Sequence, residues 1–323
     1  MIKVIFLWQQ IDQYGKNQTF YRVERQNTLQ AMAVTFSSFS NTSSGFNGSF
    51  EQEPEELKFR IANGVILIFL FLTTLLGNSV ILITIWKTSA LHSVASILLA
   101  NLAVSDLAVG LFPEPLFITH ILITVEYTVL VSLFYSIVAA FLSVASFITV
   151  TAIGIERLLA LQLHMRYHAV VTPFRVTGVV IFIWALSGVI ACSCLWDLSV
   201  LYGVSSAAFI SLLVGNLIVY VKIHLVVRHH QRQIQHQQGN DNFGVSRFKK
   251  TALNTFFVYI LLLFCYLPYV FVTCMAFAGL NFSPSVYFVV TTLVYLNSSL
   301  NPALYCWRDR EIRTAVKKLL FRR

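Results

Sequence analysis

Seven long apolar runs separated by short polar stretches dominate the chain, at about 61 to 86, 93 to 118, 128 to 157, 175 to 196, 200 to 228, 249 to 277 and 285 to 306. Each can cross a hydrocarbon layer about 30 Å thick, which takes roughly 20 helical residues. None alternates strictly as a barrel strand does. Because lipid offers a backbone no hydrogen-bond partner, the runs predict α-helices. The expected fold is all-α, an integral membrane bundle of seven transmembrane helices over residues 61–306. Beyond it, residues 307–323 set basic against apolar positions at helical spacing, which predicts a short amphipathic helix on the inner surface of the membrane lipids.

The stretch before the bundle reads differently. Residues 1–60 are polar, carry the acidic EQEPEE near their end, and hold three Asn-x-Ser/Thr sequons, at Asn17, Asn41 and Asn47. They predict a disordered extracellular tail with glycosylation candidates. The initial MIKVIFLW is too short for a signal-peptide core and has no small-residue cleavage site.

Composition agrees: 57% hydrophobic and 11% charged residues exclude an ordinary soluble domain. A net charge of +9 would suggest nucleic acid in a soluble chain, but here its distribution matters more than its sum. Seventeen of the 23 basic residues fall on one side of the seven-span topology. The opposite loops, near 119–127, 197–199 and 278–284, have none. The positive-inside rule makes the crowded side cytoplasmic and the N-terminus extracellular, so the expectation is a multi-pass plasma-membrane protein with no nucleic-acid partner. Five cysteines without a CxxC pair indicate neither a zinc site nor a disulfide framework.

Charge inside a span costs at least about 2.5 to 3.5 kcal/mol and marks functional candidates. Asp106 sits mid-span in LLANLAVSDLAVG, and Glu156-Arg157 sits at the cytoplasmic end of the third span. At a depth comparable to Asp106 the other spans offer Asn78, Ser146, Asn297, Ser298 and Asn301. One carboxylate among neutral oxygens suits a hard cation such as Na⁺, or a proton. A purely structural hydrogen-bond network is the alternative.

These residues carry a resemblance. Gly77-Asn78, NLAxxD from Asn101 to Asp106, Arg157 after Glu156, Trp184, Tyr220, FCYLPY from Phe264 to Tyr269, and NPxxY from Asn301 to Tyr305 together resemble the rhodopsin-like G-protein-coupled receptors, over about residues 61 to 320. The resemblance implies a ligand in the outer half and outward movement of the sixth span, which opens a cleft for a heterotrimeric G protein. Pro268 and Pro302 are the expected helix pivots, since proline removes a backbone hydrogen bond. It further implies that Glu156 restrains Arg157, that Tyr220 and Tyr305 approach Arg157 on activation, that Met165 is an apolar knob for the G protein, and that Asp106, Ser146, Asn297 and Asn301 hold Na⁺. Leu158, Phe248 and His164 depart from the family pattern around Arg157, and Tyr266 stands where a tryptophan is usual.

The same resemblance narrows the ligand. Ser132 replaces a cysteine, so the family's outer-loop disulfide is absent, and this loop pattern resembles the group of melanocortin, adenosine, cannabinoid and lysophospholipid receptors. Tyr295 replaces the lysine a retinal Schiff base requires, so no retinal is expected. Ala139 replaces the carboxylate of amine receptors, and Thr273 stands where adenosine receptors place an amide. Candidate ligand contacts are Glu114, Glu126, Tyr266, Tyr269, Thr273, Tyr287 and Tyr295, a set that suits a cationic peptide, a lipid or another extracellular small molecule.

Two other readings stay open: a receptor-like protein that couples weakly or not at all, and a transporter or channel with Asp106 as its ion site. The latter lacks inverted repeats and a ring of pore charges. An enzyme is not expected, because no span carries a metal-ligand set or a nucleophile-base pair.

Overall fold

The computed structural model describes residues 54–88, 93–123, 129–163, 166–195, 198–237, 242–280, 282–308 and 310–321. They form α1 (Pro54–Lys87), α2 (Val94–Leu111), α3 (Pro113–Ile123), α4 (Val129–Leu163), the one-turn α5 (Tyr167–Val170), α6 (Pro173–Ala191) with a 3₁₀ turn at Cys192–Leu195, α7 (Leu198–Gln237), α8 (Asn242–Phe277), α9 (Pro284–Arg308) and α10 (Arg310–Phe321). The described residues contain no strand. The second expected span is built from α2 and α3, the third from α4, and the fourth to seventh from α6 to α9. The sequons Asn17, Asn41 and Asn47 lie outside the described residues.

Several boundaries move outward from the sequence expectation. The first helix begins at Pro54 rather than near 61, because proline fits the first helical position and Glu55 and Glu56 complement the positive end of the helix dipole. The third runs on to Leu163, past Arg157, and α7 and α8 extend through the basic stretches flanking residues 238–241. Hydropathy locates the hydrocarbon crossing, whereas a helix continues into water wherever no proline, glycine or cap stops it. Local signals do fix α2 and α6. Ser93 caps the first and accepts from the Ser96 amide at 3.4 Å; Thr172 caps the second, accepting from the Arg175 amide at 3.4 Å with Pro173 next in line.

Six of the described helices are long and apolar enough to cross a membrane by composition alone. The seventh, α9, has 25 residues but is interrupted by Thr291, Thr292, Asn297, Ser298, Ser299 and Asn301. All but Thr291 are buried, so the polarity that dilutes its hydropathy points into the bundle rather than toward lipid.

Polar side chains cross-link the helices where lipid offers them nothing. Trp184 Nε1 donates to Asn101 Oδ1 at 2.8 Å, and Asn101 Nδ2 donates to Thr149 Oγ1 at 2.9 Å, tying α6, α2 and α4. Asn216 Nδ2 donates to Thr151 Oγ1 at 2.8 Å, tying α7 to α4. Between α1 and α9 the device depends on proline. Pro302 has no N–H for the Ser298 carbonyl four residues earlier, and Asn78 Nδ2 donates to that carbonyl at 3.3 Å.

Gly77 permits this approach, since a Cβ there would stand 2.8 Å from Pro302 Cγ and 3.0 Å from Pro302 Cβ. Gly77→Val is therefore expected to push α1 off α9 and cost about 1 to 3 kcal/mol. A fall in the melting temperature of the purified chain checks this; an unchanged melt counts against the contact.

Candidate functional site

Asp106 is fully buried on α2, two turns beyond Leu99 and facing α4 and α9. Ser146 Oγ donates to its Oδ1 at 2.9 Å and Asn301 Nδ2 donates to its Oδ2 at 2.7 Å; the Ser298 hydroxyl also bonds to this carboxylate. Asn297, one turn before Asn301, is buried with its Nδ2 lacking a partner, and Asn78 Oδ1 is buried and unpartnered too. Three of the four expected ion-site residues thus meet directly, and the fourth lies on the same buried face of α9.

This donor set fits a small hard monovalent cation. It has one carboxylate, hydroxyl and amide oxygens, and no basic side chain among its hydrogen-bond partners. The described residues contain no group of three His, Cys, Asp or Glu side chains able to hold a metal, so a cation here would rest on a single carboxylate and neutral oxygens.

Toward the end of the bundle marked by Arg157, Glu156 serves two partners. The Tyr167 hydroxyl on α5 donates to its Oε1 at 2.5 Å, and Arg157 Nε lies 3.4 Å from its Oε2. Burial and the bond to Glu156 both push the Tyr167 hydroxyl well above the usual tyrosine range, so it stays a donor across the physiological pH span. The Arg157 side chain remains about a third exposed, reachable from the surface while tethered at its base. Leu158 turns the other way and packs with Ile223 and Val227 of α7.

Close by, a small open cleft is lined by Gly154 of α4, Asn216 and Tyr220 of α7, Tyr259 of α8, and Asn301 and Tyr305 of α9. The Tyr220 and Tyr259 rings stack with centroids 6.0 Å apart and planes inclined by 8°. Tyr259 was not singled out by the sequence; a tyrosine well inside an apolar span looks like ordinary packing until its partner is seen. Tyr167 was missed likewise, because its partner Glu156 lies 11 residues away across a turn. Tyr259→Ala is expected to loosen the α7–α8 joint and raise ligand-independent signalling about two- to fivefold, on the order of the 0.5 to 1 kcal/mol of an aromatic pair. Basal signalling at or below wild type, at matched surface expression, contradicts this.

The expected ligand contacts separate into two groups. On α8, Tyr266, Tyr269 and Thr273 share a face that meets α7. Tyr266 and Tyr269 lie 5.3 and 6.2 Å from the Phe209 ring, and the Thr273 and Ser206 hydroxyls are 2.8 Å apart. Tyr287 of α9 lies near Tyr269. The second group joins α3, α4 and α9: Glu114 is fully buried, and the Tyr295 hydroxyl lies 3.0 Å from that of Tyr135.

Arg60 was not singled out in the sequence. In the structure it is buried on α1 and donates from Nε and Nη2 to the Ile121 carbonyl at 3.1 and 2.9 Å, capping the negative end of α3. A basic residue at the edge of an apolar run was the available signal. Glu126, His164 and Met165 lie outside the described residues, as does the side chain of Phe248.

Known proteins are similar to this chain in sequence. The family model described as "7 transmembrane receptor (rhodopsin family)" matches residues 77–199 and 190–305. Similar proteins include adenosine receptor A2b of Gallus gallus, 27% identical over 286 residues, which cover 76% of this chain and 84% of the relative. Histamine H2 receptor of Cavia porcellus is 26% identical over 289 residues, covering 81% and 80%. Adenosine receptor A2a of Canis lupus familiaris is 27% identical over 290 residues, covering 76% and 69%.

Proposed function

Because the chain belongs to the rhodopsin family of seven-transmembrane, G-protein-coupled receptors, we propose that it sits in the plasma membrane with its N-terminus outside, takes a ligand at the Glu114 end and activates heterotrimeric G proteins at the Arg157 end. Supporting the orientation, basic residues crowd the loops and tail at the Arg157 end and are missing from the opposite loops. The α10 helix suits the inner leaflet: Ile312 and Ala315 are buried against the bundle while Leu320 and Phe321 remain exposed beside Lys317 and Lys318.

The observation that carries the coupling is the pairing of Arg157, tethered through Glu156 yet accessible, with the adjoining cleft bounded by Tyr220, Tyr259 and Tyr305. A helical element of a G protein needs a groove and a charged anchor beside it, and this end offers the start of both. Pro268, inside α8, frees the segment carrying Tyr259 to swing, and Pro302 does the same for Tyr305. A ligand drives the swing only if it binds the open arrangement better than the closed one.

Dissociation of co-expressed G-protein heterotrimers in cells tests this reading. A signal above that of cells lacking the receptor, reduced to background by Arg157→Ala at equal surface expression, is expected. Silence across all G-protein classes, with or without candidate ligands, would instead favour a receptor-like protein that does not couple.

We further propose that Na⁺ binds at Asp106 with Ser146, Asn297 and Asn301. The cation would neutralise a carboxylate that no basic side chain meets, and hold α2, α4 and α9 in the arrangement seen, which opposes the swing.

A further inference from the structure

Glu114 is the least explained polar group in the bundle. Its side chain is 0% exposed, and neither carboxylate oxygen has a hydrogen-bond partner. A carboxylate out of water without a partner is costly, and those found in membrane bundles mark pathways or ligand counter-charges. It lies in the first turn of α3 between Pro113 and Pro115, and it shares one buried face of that helix with Phe117 and Ile121.

That face is walled by aromatic rings. Phe117 stacks with Tyr135 at 6.3 Å and meets Tyr295 edge-on at 5.5 Å and Phe288 at 6.1 Å; Tyr295 also lies within electrostatic reach of Glu114. The charges nearby are otherwise engaged. Arg60, on α1, is bound to the Ile121 carbonyl, and the His120 ring packs on Phe288. From α4 and α9 the groups around it are the tyrosines Tyr135 and Tyr295, neither of which carries a positive charge.

We propose that Glu114, with the rings of Phe117, Tyr135 and Tyr295, is a subsite for the cationic nitrogen of an organic ammonium ligand. A carboxylate supplies the counter-charge and ring faces supply cation–π attraction, both strengthened by exclusion of water. Ala139 offers no carboxylate on α4, so an ammonium group in this receptor is held from α3, one helix away. This rests on the reading that ligands enter at the Glu114 end.

The test is thermal melting of the full chain in lipid nanodiscs, with tetramethylammonium, butylammonium and benzylammonium chlorides, and with benzyl alcohol as the neutral match of the last. Melting needs no G protein, so a failure of the subsite and a failure of coupling are read separately. At least one ammonium ion is expected to raise the wild-type melting temperature while benzyl alcohol does not. Glu114→Gln should weaken that response by roughly thirtyfold or more in ammonium concentration, as loss of one partner of a buried charge pair does. Its own ligand-free melt, at or above wild type, confirms that it is folded.

Three outcomes overturn the proposal: no shift with any of the three ions, an equal shift in Glu114→Gln, or an equal shift with benzyl alcohol. A wild-type melt that responds only to acidification, with the response abolished in Glu114→Gln, also overturns it and assigns the carboxylate to a proton.

Discussion

Replacing NaCl with KCl at constant ionic strength is expected to lower the melting temperature of the purified chain by several degrees. Asp106→Asn should show no such difference. A cation bound only by the folded inactive bundle stabilises it by about 1.4 kcal/mol at ten times its dissociation constant, and each kcal/mol moves the melt of a chain this large by roughly 2 to 4 °C. Ionic strength alone cannot imitate the effect, because Asp106 is fully buried and poorly screened. The substitution keeps the shape and the hydrogen bonds to Ser146 and Asn301 within reach while removing the charge. An equal response in both proteins, or none in wild type, sinks the sodium reading and leaves Asp106 in a structural network.

Phe147→Ala is expected to be the most damaging single truncation in the interior. Phe147 is 0% exposed and lies 4.7 Å from Tyr266 and 5.6 Å from Phe209, both edge-on, at the junction of α4, α7 and α8. In lipid the unfolded reference is itself apolar, so much of the usual transfer term is absent and the loss is mainly one of packing. A cavity on the order of 100 Å³ at roughly 24 cal/mol per Å³ gives about 2 to 3 kcal/mol, a fall of several degrees. Phe147→Leu should recover about half. Tyr266 sits just below Tyr269 and Thr273 on α8, so loosening its ring also weakens the link between that part of the ligand region and the Pro268 pivot. A melt unchanged by Phe147→Ala would show that the α4–α7–α8 junction is not a point of tension.

Much of this was legible from the chain because lipid makes polarity expensive. Asp106, Ser146 and Asn301 stood out as polar groups in apolar runs, and such groups must find one another; they do. Gly77 and Asn78 were readable as a motif, but their reason, a glycine gap against Pro302 and a donor for the carbonyl that proline orphans, required the packing of α1 on α9. Tyr259 and Tyr167 stayed hidden because a tyrosine tolerates both core and rim, and its role depends on a distant partner. Helix ends were the weakest reading, since α4, α7 and α8 continue beyond the hydrocarbon that hydropathy detects. Glu114 was visible as an acid between two prolines; its complete burial without a partner was not.

The most direct test of the receptor account is nucleotide exchange by purified components. The chain in nanodiscs is mixed with purified heterotrimers of each Gα class, and uptake of a non-hydrolysable GTP analogue is followed for wild type and for Arg157→Ala. The account predicts accelerated uptake on at least one class by the wild type and near-background uptake by Arg157→Ala of equal melting temperature. Acceleration that survives intact in Arg157→Ala would contradict it, as would background uptake on every class by wild type.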